Sequence, residues 1–318
     1  MTTRPHPAHL PTQTSFLVTA AFVYVYFAWG ATYLALHFAL QSVPPFLLAG
    51  SRFVLAGAVL LGLLGMLQRR QFHLGTVREW RDALMVGTLL LVGGNGSLAW
   101  AQQYVTTGTA ALIFGSMPLC IILFDWIRPG GTPVTLRTGI GLALGFIGVC
   151  VLIKPSAVSP DSTMEMWGKL ALVVAACSWS AGAIYSRHVH AAGSPLLPMA
   201  RQMIMGGLVL LAVSLVRGEP AHFVWERITL ASWMGYAYLV VFGSLLGFTA
   251  YVWLMRVSTP ARVSTISYAN LIVAVFLGWT VGGEPMTARM LFGAAIIVGS
   301  VVLVLTRKVA VVAPPGEA

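Results

Sequence analysis

GGTPVTLRTGIGLALG at residues 130–145 returns as GGEPMTARMLFGAAII at residues 282–297, 152 positions further on. That single offset sets Pro133 on Pro285, Thr135 on Thr287, Arg137 on Arg289 and Gly141 on Gly293. Matched glycines alone carry little weight in an apolar chain, but a matched Pro and a matched Arg in the same register are hard to obtain by chance. Two more echoes have almost the same spacing. SRFVLAG from Ser51 pairs with ARQMIMG from Ala200, which sets Arg52 on Arg201 and Gly57 on Gly206 at 149, and Trp29 pairs with Trp179 at 150. The chain reads as two copies of one unit.

The repeated unit is apolar throughout. Of 318 residues, 58% are hydrophobic and only 9% are charged, against roughly 25% charged in soluble domains. Such a surface belongs in lipid. Stretches long enough to cross about 30 Å of hydrocarbon as helices fall at 16–36, 44–67, 83–102, 108–127 and 133–153, then at 166–186, 195–216, 230–254, 260–282 and 286–306. Transmembrane barrel strands would instead be segments of about ten residues with alternating polarity. The expected fold class is an all-α integral membrane protein of ten transmembrane helices. The first apolar run is too long for a signal peptide and stays as a span.

The formal charge of +10 does not mark a nucleic-acid binder, because the basic residues gather in short segments between apolar runs. With the N-terminus inside, the inner segments hold Arg4, Arg69, Arg70, Arg78, Arg81, Arg128, Arg137, Arg187, Arg256, Arg262, Arg307 and Lys308, twelve in all. The outer segments hold Lys154, Lys169, Arg217, Arg227 and Arg289, five in all. The positive-inside bias puts both termini in the cytoplasm. Five helices per unit is an odd number, so the second unit must enter the bilayer upside down. Inverted pairs of this kind build secondary transporters, whose sites lie near the midplane between the repeats. The expected organisation is a first five-helix repeat at 1–155, an external linker at 156–165 within KPSAVSPDSTMEM (154–166), and a second, inverted repeat at 166–318.

Polar groups inside such spans are costly and therefore informative. Arg52 and Arg201 occupy matched places and are candidates to line a cavity and attract an anionic group; snorkelling to the nearer surface is the alternative. GGNGSLAWAQQY at 93–104 is the most polar stretch of any span. Asn95 between glycines points to a locally altered helix whose freed backbone groups need partners, with Trp100 and Gln103 three residues apart beyond it and Gln102 directed elsewhere. Trp29, Tyr33, Trp179, Tyr251, Tyr268 and Asn270 complete the cavity candidates, although Tyr268 and Asn270 cannot share one regular helical face. Pro118, matched to Asn270, is expected to kink the fourth helix. Asp125 reads as an i,i+3 ion pair with Arg128 at the cytoplasmic mouth, or as a proton-coupling group. Glu284 reads as stabilising a helix N-terminus.

No HExxH, GxSxG or Walker loop occurs, and no His and Cys cluster that could hold a metal, so neither an enzyme nor direct ATP-driven transport is expected. Cys120, Cys150 and Cys177 read as small buried hydrophobes.

Several stretches together resemble the drug/metabolite transporter superfamily, in particular its ten-helix EamA-type exporters. They are FAWGATYLA (27–35), RFVLAG (52–57), GNG (94–96), TTGTAALIFGSMPL (106–119), ACSWSAGAIYSR (176–187), FGSLLGFTAYVWLMRVSTPARVS (242–264) and NLIVAVFLGWTVGGEPMT (270–287). The resemblance implies a duplicated five-helix fold around a central cavity that exports small metabolites, amino acids or amphipathic compounds; the short loops and inside-positive bias favour a bacterial inner (plasma) membrane. Relatives tend to carry Glu and His after GNG, where this chain has AWAQQY with neutral Gln102 and Gln103. The departure weakens the case for a titratable coupling group there. The functional expectation is a secondary transporter working by alternating access. Uptake of a small organic solute, and a sensor or structural membrane protein without net flux, are the alternatives. Its expected partners are a small organic solute, membrane lipid and H+ as candidate coupling ion, with no nucleic acid and no cofactor. One chain holds both halves, so a monomer would suffice.

Overall fold

The computed structural model describes residues 12–69, 72–128, 134–153, 162–189, 193–263 and 265–305. Arg4, Arg70, Lys154, Arg307, Lys308, the 130–133 turn and most of the 156–165 linker lie outside the described residues. The main helices are α1 (Thr12–Leu40), α2 (Pro45–Leu67), α3 (Val77–Ala101), α4 (Thr107–Ile127) and α5 (Leu136–Ile153), followed by α6 (Ser162–Ser186), α7 (Leu196–Val216), α8 (Leu230–Val257), α9 (Ile266–Thr280) and α10 (Ala288–Leu305). Among the described residues there is no strand.

Eight of these helices are long and apolar enough to cross a bilayer. The apolar runs of α9 and α10, Ile266–Thr280 and Ala288–Val304, are shorter. The 15 residues of α9 rise about 22 Å, less than the hydrocarbon thickness. A separate turn, Pro260–Val263, precedes it and accounts for the rest of the expected 260–282 span. Apolar side chains point outward along the bundle, among them Phe16, Leu63, Ile147, Phe276 and Phe292. A soluble monomer rarely presents such a surface.

The helix packing repeats itself. α2 packs along α7, and α5 along α10. The contact of α1 with α9 is matched by that of α6 with α4, and the contact of α1 with α8 by that of α6 with α3. Every one of these pairings maps onto another, or onto itself, when each helix is exchanged for the one five places away. Where α2 meets α7, Gly50 faces Leu211 while Gly57 faces Ala200 and Met203, so the two run antiparallel. In the α5–α10 pair Gly141 faces Val304 and Gly293 faces Leu152, which is antiparallel again. The matched glycines Gly57 and Gly206 are points of close approach, where an added Cβ would come within 2.8 Å of the Ala200 and Gly87 carbonyl oxygens respectively. Small residues let helix backbones touch and so drive association in lipid.

Three expectations need correction. Lys169, counted with the outer segments, is not a solvated flanking charge: α6 begins at Ser162, and Lys169 lies two turns inside it, buried and 2.6 Å from buried Glu165. Glu165 therefore joins Asp125 as an acidic residue within a helix, and a charge this poorly solvated needs the paired ammonium. Cys150 is exposed on α5 rather than buried. The third helix starts at Val77 rather than near residue 83, because Thr76 and Glu79 form a capping box that starts it earlier.

Candidate functional site

Two helices change winding at corresponding places. α3 is π-helical over Thr88–Gly96 and α8 over Leu239–Leu246, segments displaced by 151 residues at their starts and 150 at their ends. The altered stretch around Asn95 is thus a wider helix rather than an unwound one. In a π segment the backbone bonds run five residues on rather than four, and side chains from the neighbouring helix also donate to carbonyls there. On α8, the Trp29 indole Nε1 donates to Gly243 O at 3.1 Å and the Tyr24 hydroxyl to Phe242 O at 3.0 Å, both from α1. On α3, the Ser178 hydroxyl of α6 donates to Leu89 O at 2.8 Å.

Around the α8 segment the structure gathers Trp29, Tyr251 and Arg52. The Trp29 ring lies 5.1 Å from Tyr251 and 5.3 Å from Phe248. Arg52 donates through Nε to the Ser244 hydroxyl at 3.0 Å and lies 4.4 Å from the centre of the Phe53 ring. Ser244 is itself fully buried within the π segment. Around the α3 segment it gathers Asn95 and Trp179. Asn95 donates to Leu90 O at 3.4 Å, and Trp179 lies over Gly94 and meets Phe114 edge-on at 5.8 Å. α2 touches both π segments.

Other expected residues lie elsewhere. Arg201 is 1% exposed and is held by Glu79, at 3.1 Å, and by the His73 carbonyl, at 3.4 Å, where α3 begins. Its guanidinium covers Gly75, whose φ of +96° is open to glycine at no steric cost. Tyr33 is buried in the core, and its carbonyl accepts from Gln102 at 3.1 Å, so Gln102 does reach another helix. Trp100 and Gln103 sit away from Asn95, in a half-open pocket of about 220 Å³ at the helix ends together with Pro45, Tyr104, Arg217 and Glu219. Tyr268 donates to Val301 O at 3.4 Å, while the Asn270 Oδ1 is buried without a donor among the described residues. Asp125 and Arg128 form the i,i+3 pair at 2.8 Å. The break in α4 falls at Gly115–Ser116, just before Pro118, where the missing proline N–H cannot continue the ladder.

Sequence reasoning passed over Ser178 and Ser244, since a lone serine in an apolar helix carries no pattern. It also passed over the Glu165–Lys169 pair, although the i,i+4 spacing was a readable signal.

The EamA-like transporter family model matches residues 17–154 and again 166–306. The chain belongs to this family. The two matches divide it as the 152-residue repeat does. It is similar to the uncharacterized inner membrane transporter YedA of Escherichia coli (strain K12), with 31% identity over 89% of each chain. It is also similar to the uncharacterized transporter YoaV of Bacillus subtilis (strain 168), with 27% identity over 85% of this chain and 90% of that one. A protein crystal structure matches with a TM-score of 0.61 at 22% identity, covering 90% of this chain and 95% of that chain; at that identity it bears on the fold alone. This EamA-like protein is a multi-pass membrane transporter. Among its described residues no group of His, Cys, Asp or Glu could hold a metal ion.

Proposed function

We propose that this EamA-like protein is a secondary transporter that exports small organic solutes, amino acids or amphipathic metabolites among them, by alternating access. In this reading all ten helices span the bilayer, as two inverted repeats of five, 1–155 and 166–318, joined by an external linker at 156–165. Both termini are cytoplasmic. The observation that carries it is the exchange of helix contacts between halves, α2 with α7 and α5 with α10, each pair antiparallel. Two such halves can rock about a shared centre and present one site to either side in turn.

The site is the region of the two π segments. Trp29, Tyr251 and Arg52 form its α8 side, and Asn95 and Trp179 its α3 side, with Asn270 adding a buried acceptor on α9. Aromatic walls, one guanidinium and a few hydrogen-bonding groups suit an amphipathic solute with an anionic end. H+ remains the proposed coupling ion, and a single chain the transporting unit. Tyr33, Trp100, Gln103, Arg201 and Tyr268 stand outside that proposed centre, as the contacts above describe.

Counterflow in proteoliposomes tests this reading, using labelled amino acids, amines and small organic anions with and without unlabelled solute inside. Saturable accumulation that depends on internal solute is the expected result. Folded, inserted protein that binds a solute yet produces no counterflow would favour a sensor.

A further inference from the structure

α4 and α9, matched helices of the two halves, meet at one end and part at the other. At the meeting end Gly108 faces Val275 and Met290, Gly115 faces Leu271, and an added Cβ at Gly278 would touch both Thr107 and Glu284. Past the break at Gly115–Ser116, Met117–Ile127 packs on α6 and has at most marginal contact with α9 among the described residues. The start of α9 leans the other way, towards α1. Ile266 and Val263 pack with Val18, Phe22 and Val25, and Tyr26 shares a 2.5 Å hydrogen bond with Thr265.

The meeting end carries a clasp. Glu284, in the α9–α10 loop, accepts the Thr107 N–H at 2.6 Å and the Gly108 N–H at 3.1 Å with its two carboxylate oxygens. These N–H groups open α4 and have no partner within it. A carboxylate there is favoured by charge-assisted hydrogen bonds and by the helix dipole together. The clasp is shaped by its glycines: Gly283 turns the chain with φ +65°, and Gly278 leaves room for the carboxylate.

The 152-residue repeat puts Thr132 where Glu284 stands and Pro260 where Gly108 stands. Thr has no carboxylate and Pro has no N–H. A mirror-image clasp at the other end of the α4–α9 pair therefore cannot form.

We propose that Glu284 is the one-sided latch of the gate formed by α4 and α9, and that it biases the protein towards the state closed on the Glu284 face. This inference rests on the alternating-access reading above. Glu219 supplies an internal contrast. It lies in the same Gly-Glu-Pro tripeptide, follows a left-handed Gly218 with φ +71°, and accepts the Phe46 and Leu47 N–H groups of α2 at 3.3 and 2.8 Å. It nevertheless joins α2 and α7, which are packed along their lengths. That makes Glu219 a fixed staple, whereas Glu284 closes a pair that is already open at its far end.

Spin-label distances in nanodiscs test the latch, in a chain with Cys120, Cys150 and Cys177 replaced by Ala. One label pair, Tyr104→Cys with Met286→Cys, reports the latch face; another, Ile127→Cys with Thr259→Cys, reports the opposite face. Glu284→Gln keeps one acceptor oxygen and loses the charge, while Glu284→Ala loses both. Each is expected to raise the long-distance population on the latch face, Ala by about tenfold given what charged hydrogen bonds contribute, and to shorten the opposite pair in step. Glu219→Gln should move neither pair and should lower thermal stability instead. Unchanged distances in folded Glu284→Gln and Glu284→Ala would overturn the latch. So would lengthening on the latch face without change on the other, which would mean local loop fraying. Counterflow by the wild-type protein is scored separately, so the latch can fail while the transporter reading stands.

Discussion

Arg52 and Arg201 occupy the same place in two copies of one helix, and the protein uses them differently. Arg201 faces Glu79 and the His73 carbonyl and is sealed from solvent. Arg52 faces the neutral hydroxyl of Ser244 in the middle of a π segment. Duplication supplied two buried guanidiniums. Arg201 has a carboxylate partner and ties α7 to the start of α3; Arg52 has a neutral hydroxyl partner, and in the proposed reading its charge attracts an anionic solute.

The largest effect is expected from breaking the tie. Arg201→Leu leaves Glu79 its Thr76 and His73 contacts but removes its buried guanidinium partner, and should cost about 2 kcal/mol, read as a lowered midpoint of thermal unfolding in detergent. Glu79→Gln combined with Arg201→Leu should cost clearly less than the two single changes added together. Strict additivity would show that the pair is not coupled. Arg52→Leu should reverse the pattern. Replacing an uncompensated buried charge with an apolar side chain is close to neutral for stability, while saturable uptake of anionic solutes in counterflow should fall at least about tenfold, as expected when a charged hydrogen bond to the solute is lost. A variant that loses stability but transports normally once folded would make Arg52 structural as well.

Smaller changes sharpen the contrast. Ser244→Ala removes the neutral partner of Arg52 and should weaken apparent solute affinity by a few fold, on the order of one hydrogen bond, with the direction read from counterflow concentration curves. Least of all, Trp29→Phe and Ser178→Ala each delete one donor to a π-segment carbonyl. Each should cost about 0.6 kcal/mol, the usual scale for hydrogen bonds inside membranes. Unequal losses in unfolding measurements would show that the two π segments are not supported alike.

Much of this was readable beforehand. The apolar runs, the 152-residue repeat, the paired arginines and the Asp125–Arg128 pair all depend on local spacing, which a sequence states directly. The π winding around Asn95 was visible only as an oddity among glycines, because the side-chain donor beside it, Ser178 of α6, is distant in the chain. Tyr33 was a cavity candidate by sequence, and the structure shows its side chain packed in the buried core, since the face a side chain presents is set by which helix packs beside it.

The sequence alone determined that this chain lives in lipid, that it is helical, and that it was built twice, because hydrophobic run length and repeated register need no partner to be read. Only the tertiary structure decided that Arg201 belongs to Glu79, that Arg52 belongs to Ser244, and that Glu284 caps α4 rather than the helix that follows it. Each of those choices joins groups more than a hundred residues apart. In a low-dielectric interior a charge or a free carbonyl takes whichever partner the packing of whole helices brings within reach.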